Sequence, residues 1–109
     1  MAIIDELRKA YEEDGRYRGV DLIIKETISD LSEKVRLGLI LKEKTVEYTE
    51  NHSTSDENSA KYMSEKLKER IEKEFRPQKL EVYYKRIAKG FFVAHTYYLV
   101  SISVSIKIN

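Results

Sequence analysis

From residue 98 onward the chain alternates without a break: Tyr98, Val100, Ile102, Val104, Ile106 and Ile108 stand on even positions, with Ser101, Ser103, Ser105 and Lys107 among the residues between them. A period of two over this length marks a strand with one buried and one open face, because no helix gathers those side chains on one side. The rest of the chain must therefore supply a cover for the apolar row. Lys79 to Ile87 repeats the pattern, with Leu80, Val82 and Tyr84 on one face. Between the two segments, Ala88-Lys89-Gly90 has the length and final glycine of a three-residue hairpin loop. Pairing Ile87 with Phe91 then sets Tyr84 against Ala94, Val82 against Thr96 and Leu80 against Tyr98, even position on even position.

Two consequences follow from that register. The opposite face near the turn is not polar, since Ile87, Phe91 and Val93 lie there beside Tyr83, Lys85, His95 and Tyr97. Those apolar groups need either a second helical cover or a partner. The run from Phe91 to Ile108 is also too long: a straight strand of that length spans about 60 Å, while a compact chain of this size is about 35 Å across. With Lys79 opposite Leu99, residues 100–108 outrun their hairpin mate. They need another neighbour, either a strand at 39–50 or the same segment of another subunit, and the small neutral serines beside them offer no charged guard against such pairing.

The first two-thirds of the chain reads mainly as helix. Ile3, Ile4, Leu7, Ala10 and Tyr11 recur at helical spacing up to Gly15, which defines a helix over 2–14. Gly15 to Gly19 reads as a connector. Ile24, Ile28, Leu31 and Val35 define a second helix over 21–37, with Gly38 as its C-terminal glycine. The β-branched and aromatic residues of 39–50 read as a strand, although Val35, Leu37, Leu39 and Leu41 also alternate. The polar run Asn51 to Asn58 is expected to be an exposed loop, and its sequon Asn51-His52-Ser53 is a chance match in a chain expected inside the cell. Ser55 or Asp56 caps a third helix, on which Ala60, Met63, Leu67, Ile71 and Phe75 form the apolar stripe, and Pro77 ends it by about Arg76. The fold class is α+β: three helices packed on a mainly antiparallel sheet of three long strands, ending in a C-terminal hairpin, in one domain over residues 1–109.

Composition bounds the function classes. Leu, Ile, Val and Phe make up 30 of the 109 residues, enough for a core, and a net charge of +1 gives no global field toward nucleic acid or membrane. Charge is nonetheless uneven: residues 1–75 hold 14 basic and 18 acidic side chains, residues 76–109 hold 6 and 1. Acidic helices over a basic sheet, or a basic binding surface, both produce that division. Cysteine is absent, so disulfides and thiol chemistry are excluded. No apolar run is long enough to span a bilayer, and the acids at Asp5 and Glu6 do not suit a signal peptide, so a cytoplasmic protein is expected.

Chemistry has little to stand on. The two histidines, His52 and His95, have no ligand or triad partners at recognisable spacing, and the four glycines form no phosphate-binding loop. Carboxylates such as Glu65 and Glu69 sit among lysines on a solvated helix face. No catalytic role, cofactor or metal is expected. The expected function is a small interaction or assembly module that binds a protein partner or another copy of itself through the hairpin. Tyr83, Lys85, Arg86, Ile87, Lys89, Phe91, Val93, His95 and Tyr97 are its candidate contact residues. The alternative is a single-stranded nucleic-acid binder on the same strands, where Tyr83, Tyr84, Tyr97 and Tyr98 interleave with Lys85, Arg86 and Lys89. Thirteen lysines to seven arginines, with no Trp or Cys, are compatible with an accessory protein of an AT-rich bacterium or its phage.

Overall fold

The computed structural model describes residues 3–90 and 95–109, and side-chain surroundings from residue 19 onward. Two helices and three strands follow in the order α1 (Ile3–Ile40), β1 (Thr45–Thr54), α2 (Glu57–Phe75), β2 (Lys79–Lys89) and β3 (His95–Lys107). The sheet is antiparallel with strand order β1-β3-β2, so the last strand lies in the middle. Both helices cover one face of it. α1 packs on β1 and α2, while α2 packs on β2 and β3. Among the described residues no helix is long and apolar enough to cross a membrane.

The alternating row of β3 is the core. Val100, Ile102, Val104 and Ile106 are buried together with Val46 of β1, Val20, Ile24, Ile28 and Leu31 of α1, and Ala60, Met63, Leu67 and Ile71 of α2. Each fully buried aliphatic side chain of this kind contributes about 1.5–3 kcal/mol of transfer free energy, so these residues dominate the stability. Asp56 caps α2 by accepting hydrogen bonds from the Ser59 amide and hydroxyl, and the helix ends at Arg76 in a left-handed conformation just before Pro77. These boundaries agree with the sequence reading of this helix.

Three helices were expected, and there are two. The expected segments 2–14 and 21–37 are one continuous α1, because Gly15 and Gly19 cost a helix interior only about 1 kcal/mol each and no proline or cap interrupts it. Nor does the helix stop before Gly38. It runs one turn further and closes in a Schellman arrangement, with Glu43 N–H donating to Gly38 O at 2.9 Å, Lys42 N–H to Leu39 O at 3.2 Å, and Lys42 taking the left-handed conformation at φ 58°. Gly38 serves packing instead: a Cβ there would lie 2.6 Å from Val46 Cγ2 and 2.9 Å from Ile108 Cδ1. Residues 35–41 therefore end a helix. Leu37, Leu39, Ile40 and Leu41 alternate or cluster without being buried, Leu41 being 68% exposed.

The strands shift accordingly. β1 starts at Thr45, not residue 39, and takes in Asn51 to Thr54 from the expected loop. A run polar on both faces can stay extended here because its inward members find partners on α1, as described below. The hairpin register also moves by six residues: Tyr84 faces Val100, Val82 faces Ile102 and Leu80 faces Val104. β2 continues through Ala88 and Lys89, and β3 resumes at His95, so the connection is longer than three residues. This register sets apolar groups against apolar groups, where the tight turn would have set them against Ala94 and Thr96. The expected parity is kept. With β1 and β2 pairing β3 on either side, residues 100–105 have a neighbour on both edges, and no second subunit is required there.

The two described glycines of α1 separate backbone cost from packing need. Nothing lies within 4 Å of a Cβ built on Gly19, so Gly19→Ala should stabilise the protein by about 0.5–1 kcal/mol. Gly38→Ala should instead cost about 1–3 kcal/mol, because Val46 is a short, stiff side chain with no room to turn away. Thermal melts of the two variants should move in opposite directions.

Candidate functional site

Odd positions of the strands face away from both helices. On β2 and β3 this open face carries Tyr83, Lys85, Ile87 and Lys89 beside His95, Tyr97 and Leu99, with cross-strand pairs Lys85–Leu99, Ile87–Tyr97 and Lys89–His95. Tyr83 is 50% exposed, while Ile87, Tyr97 and Leu99 are half-buried. The Lys89 ammonium stands 5.8 Å from the centre of the Tyr97 ring, close enough for a cation–π contact. Further along the face the residues are small and polar: Ser101, Ser103 and Ser105 lie beside Thr49, Asn51 and Ser53 of β1. Acidic groups appear on this face only toward that other end, as Glu47 and Glu81.

Six of the nine candidate contact residues thus share one face: Tyr83, Lys85, Ile87, Lys89, His95 and Tyr97. Arg86 does not. It is on the helix-facing side, paired with Tyr98, and is exposed. Phe91 and Val93 lie outside the described residues. Leu99 was missed, although it shares the parity of Tyr97 and is the only apolar odd residue on β3 between Tyr97 and the serines. Of the aromatics in the nucleic-acid reading, Tyr84 and Tyr98 meet edge to face on the helix side, with ring centres 6.4 Å apart, and are unavailable for stacking on the open face.

A second polar cluster lies between α1 and the helix-facing side of β1. His52 Nε2 is 3.3 Å from Thr27 Oγ1 and 3.3 Å from Glu50 Oε1, and the Tyr48 hydroxyl donates to the Glu50 carboxylate. The Lys34 ammonium lies 5.9 Å from the centre of the Tyr48 ring. Burial, the hydrogen bond to Glu50, and the negative charges of Glu50 and Asp30 all push the Tyr48 phenol above its ordinary pKa of 10.0. It remains a neutral donor. These contacts satisfy the inward polar groups of β1 and explain why a sequence without apolar anchors pairs as a strand.

The shallow depression on α2 is lined by Glu65, Lys68, Glu69, Glu72 and Lys73, all of them exposed. Among the described residues no three His, Asp or Glu side chains gather where a metal ion fits. No family model, curated protein or solved structure matches the chain.

The raised Tyr48 pKa has a signed consequence. Above pH 10 the unfolded chain loses this proton while the folded chain keeps it, so stability present below that pH falls as the pH rises. Phenolate absorbance should show a step displaced above pH 10 that Tyr48→Phe removes. An absorbance titration that loses no such displaced step in Tyr48→Phe would contradict the assigned hydrogen bond.

Proposed function

We propose that the protein is a non-catalytic interaction module and that the hairpin end of its open sheet face is where a protein partner docks. The supporting observation is that both helices lie on the other face, leaving Tyr83 exposed and Ile87, Tyr97 and Leu99 half-buried on the open face with Lys85, Lys89 and His95 around them. A central apolar group inside a polar rim is the usual anatomy of a docking surface. The rim is cationic at this end, which suits a partner whose own rim is acidic.

One observation favours the nucleic-acid alternative. The acids of the helices lie behind the sheet, away from any strand laid on Tyr83 and Tyr97, so they do not screen it from the cations. Against this, only two of the four tyrosines are on the open face, and they lie on different strands, four rungs of the ladder apart. That is a sparse platform for stacked bases.

Two variants test the reading. Ile87→Ser with Leu99→Ser should cost no more than about 1 kcal/mol per site, because neither side chain belongs to the core. A loss of several kcal/mol would assign the patch to the fold and remove the docking surface. Lys85→Ala, Arg86→Ala and Lys89→Ala together should melt as the wild type does. If the wild type binds single-stranded DNA with a steep salt dependence and this triple variant does not, nucleic acid replaces protein as the partner.

A further inference from the structure

The sheet has two edges, and they differ. β1 is roofed by α1, whose Gly38, Lys34 and Thr27 lie against Val46, Tyr48 and His52. A second copy added at that edge would bring its own α1 up against this one over the seam. β2 has no helix confined to it: α2 packs across the sheet, on β2, β3 and β1 alike.

β2 is also left unfinished. Leu80, Val82 and Tyr84 point toward the helices yet remain half-buried, while their partners Val104, Ile102 and Val100 are buried. Its charges look like the guards of a solvent-facing edge, Lys79, Lys85, Arg86 and Lys89 against Glu81. Antiparallel self-pairing changes their meaning. A two-fold axis perpendicular to the sheet keeps both helix layers on one side and pairs only residues of equal parity. Centred on Glu81, such pairing sets glutamate against glutamate. Centred on Val82 or Tyr84, it sets Lys79 against Lys85 or Lys89. Centred on Lys85 or Arg86, it sets that cation against itself. Centred on Tyr83, it sets no like charges opposite: Glu81 meets Lys85 twice, Val82 meets Tyr84 twice, and Leu80 meets the stem of Arg86.

From this register we infer that two copies of the chain pair through β2 about Tyr83, forming a continuous six-stranded antiparallel sheet. The second copy completes the burial of Leu80, Val82 and Tyr84 and doubles the open face. This seam is the edge of the hairpin and the proposed partner surface is its face, so either can fail without the other.

The chain has no cysteine, which makes the test direct. Residues opposite each other in an antiparallel pair have Cα atoms about 4.5–5.5 Å apart, within disulfide range. Tyr83→Cys should therefore cross-link to itself on mild oxidation, while Thr49→Cys, midway along β1, should not. Light scattering of the unmodified protein should give twice the chain mass, with dissociation on dilution. Glu81→Lys and Lys85→Glu should each weaken dimerisation about tenfold, and mixing the two variants should restore it as a heterodimer. A strict monomer at the highest soluble concentration would overturn the inference. So would a dimer that cross-links at residue 49 and not at 83, or charge variants whose mixture does not recover.

Discussion

The packing of β3 under two helices supports everything else in this molecule. Val100, Ile102, Val104 and Ile106 all lie within a few per cent of full burial, and they form the surface against which the stripes of α1 and α2 close. Because β3 is hydrogen-bonded on both sides, it also orients β1 and β2, which do not touch each other. A polar group placed in that row has no partner and no route to water, so the row tolerates nothing but apolar side chains. The open face behind it has the opposite character. Ser101, Ser103 and Ser105 stand there on the same strand, free to contact solvent.

How much of this is legible in the sequence varies by element, for physical reasons. Period-two alternation is not degenerate, so β2, β3 and their inward parity follow from the residues alone. Hairpin register is a weaker signal: parity survives a slide of six residues, and a tight turn at Gly90 is locally as plausible as a longer connection. Apolar pairing decides between them, which is a property of the whole ladder. Gly15, Gly19 and Gly38 misled in a different way. Glycine marks a helix end only when nothing downstream continues the helical hydrogen bonds, and at Gly38 the residue is demanded by the nearness of Val46 and Ile108, which a single chain segment does not reveal. The polar half of β1 was hidden because Thr27, 25 residues away, supplies part of what keeps it in place. At the candidate site, the strand parity that sets Tyr83, Lys85, Ile87, Lys89, His95 and Tyr97 on one face sets Arg86 on the other, although its charge had placed it among the expected contacts, and which face the helices cover had to be seen.

Charge is divided between the two edges of the sheet. α2 is balanced, so the acidic excess of residues 1–75 is shared by α1 and the β1 segment, while the basic excess of residues 76–109 lies on β2 and its surroundings. The two signs therefore lie toward different edges of one small sheet. Exposed pairs such as Arg70 and Glu74, 3.1 Å apart on α2, add little to stability. What this division provides is orientation: an approaching charged partner meets the cationic hairpin and the mixed helical surface as distinct ends.

The position of β3 in the chain has a further consequence, for the order in which the molecule can assemble. The middle strand of the sheet is the last one to be synthesised, and each outer strand depends on it for all its ladder hydrogen bonds. Until residues 95–107 are available, β1 and β2 have nothing to pair with, and only the helices can form from local contacts. The pairing of β1 with β3 then closes a loop that contains all of α2 and β2. Such non-local closure is slow compared with helix formation. Until that closure the stripes of α1 and α2 have no sheet to close on, so the order of synthesis puts both helices ahead of the strand that covers them.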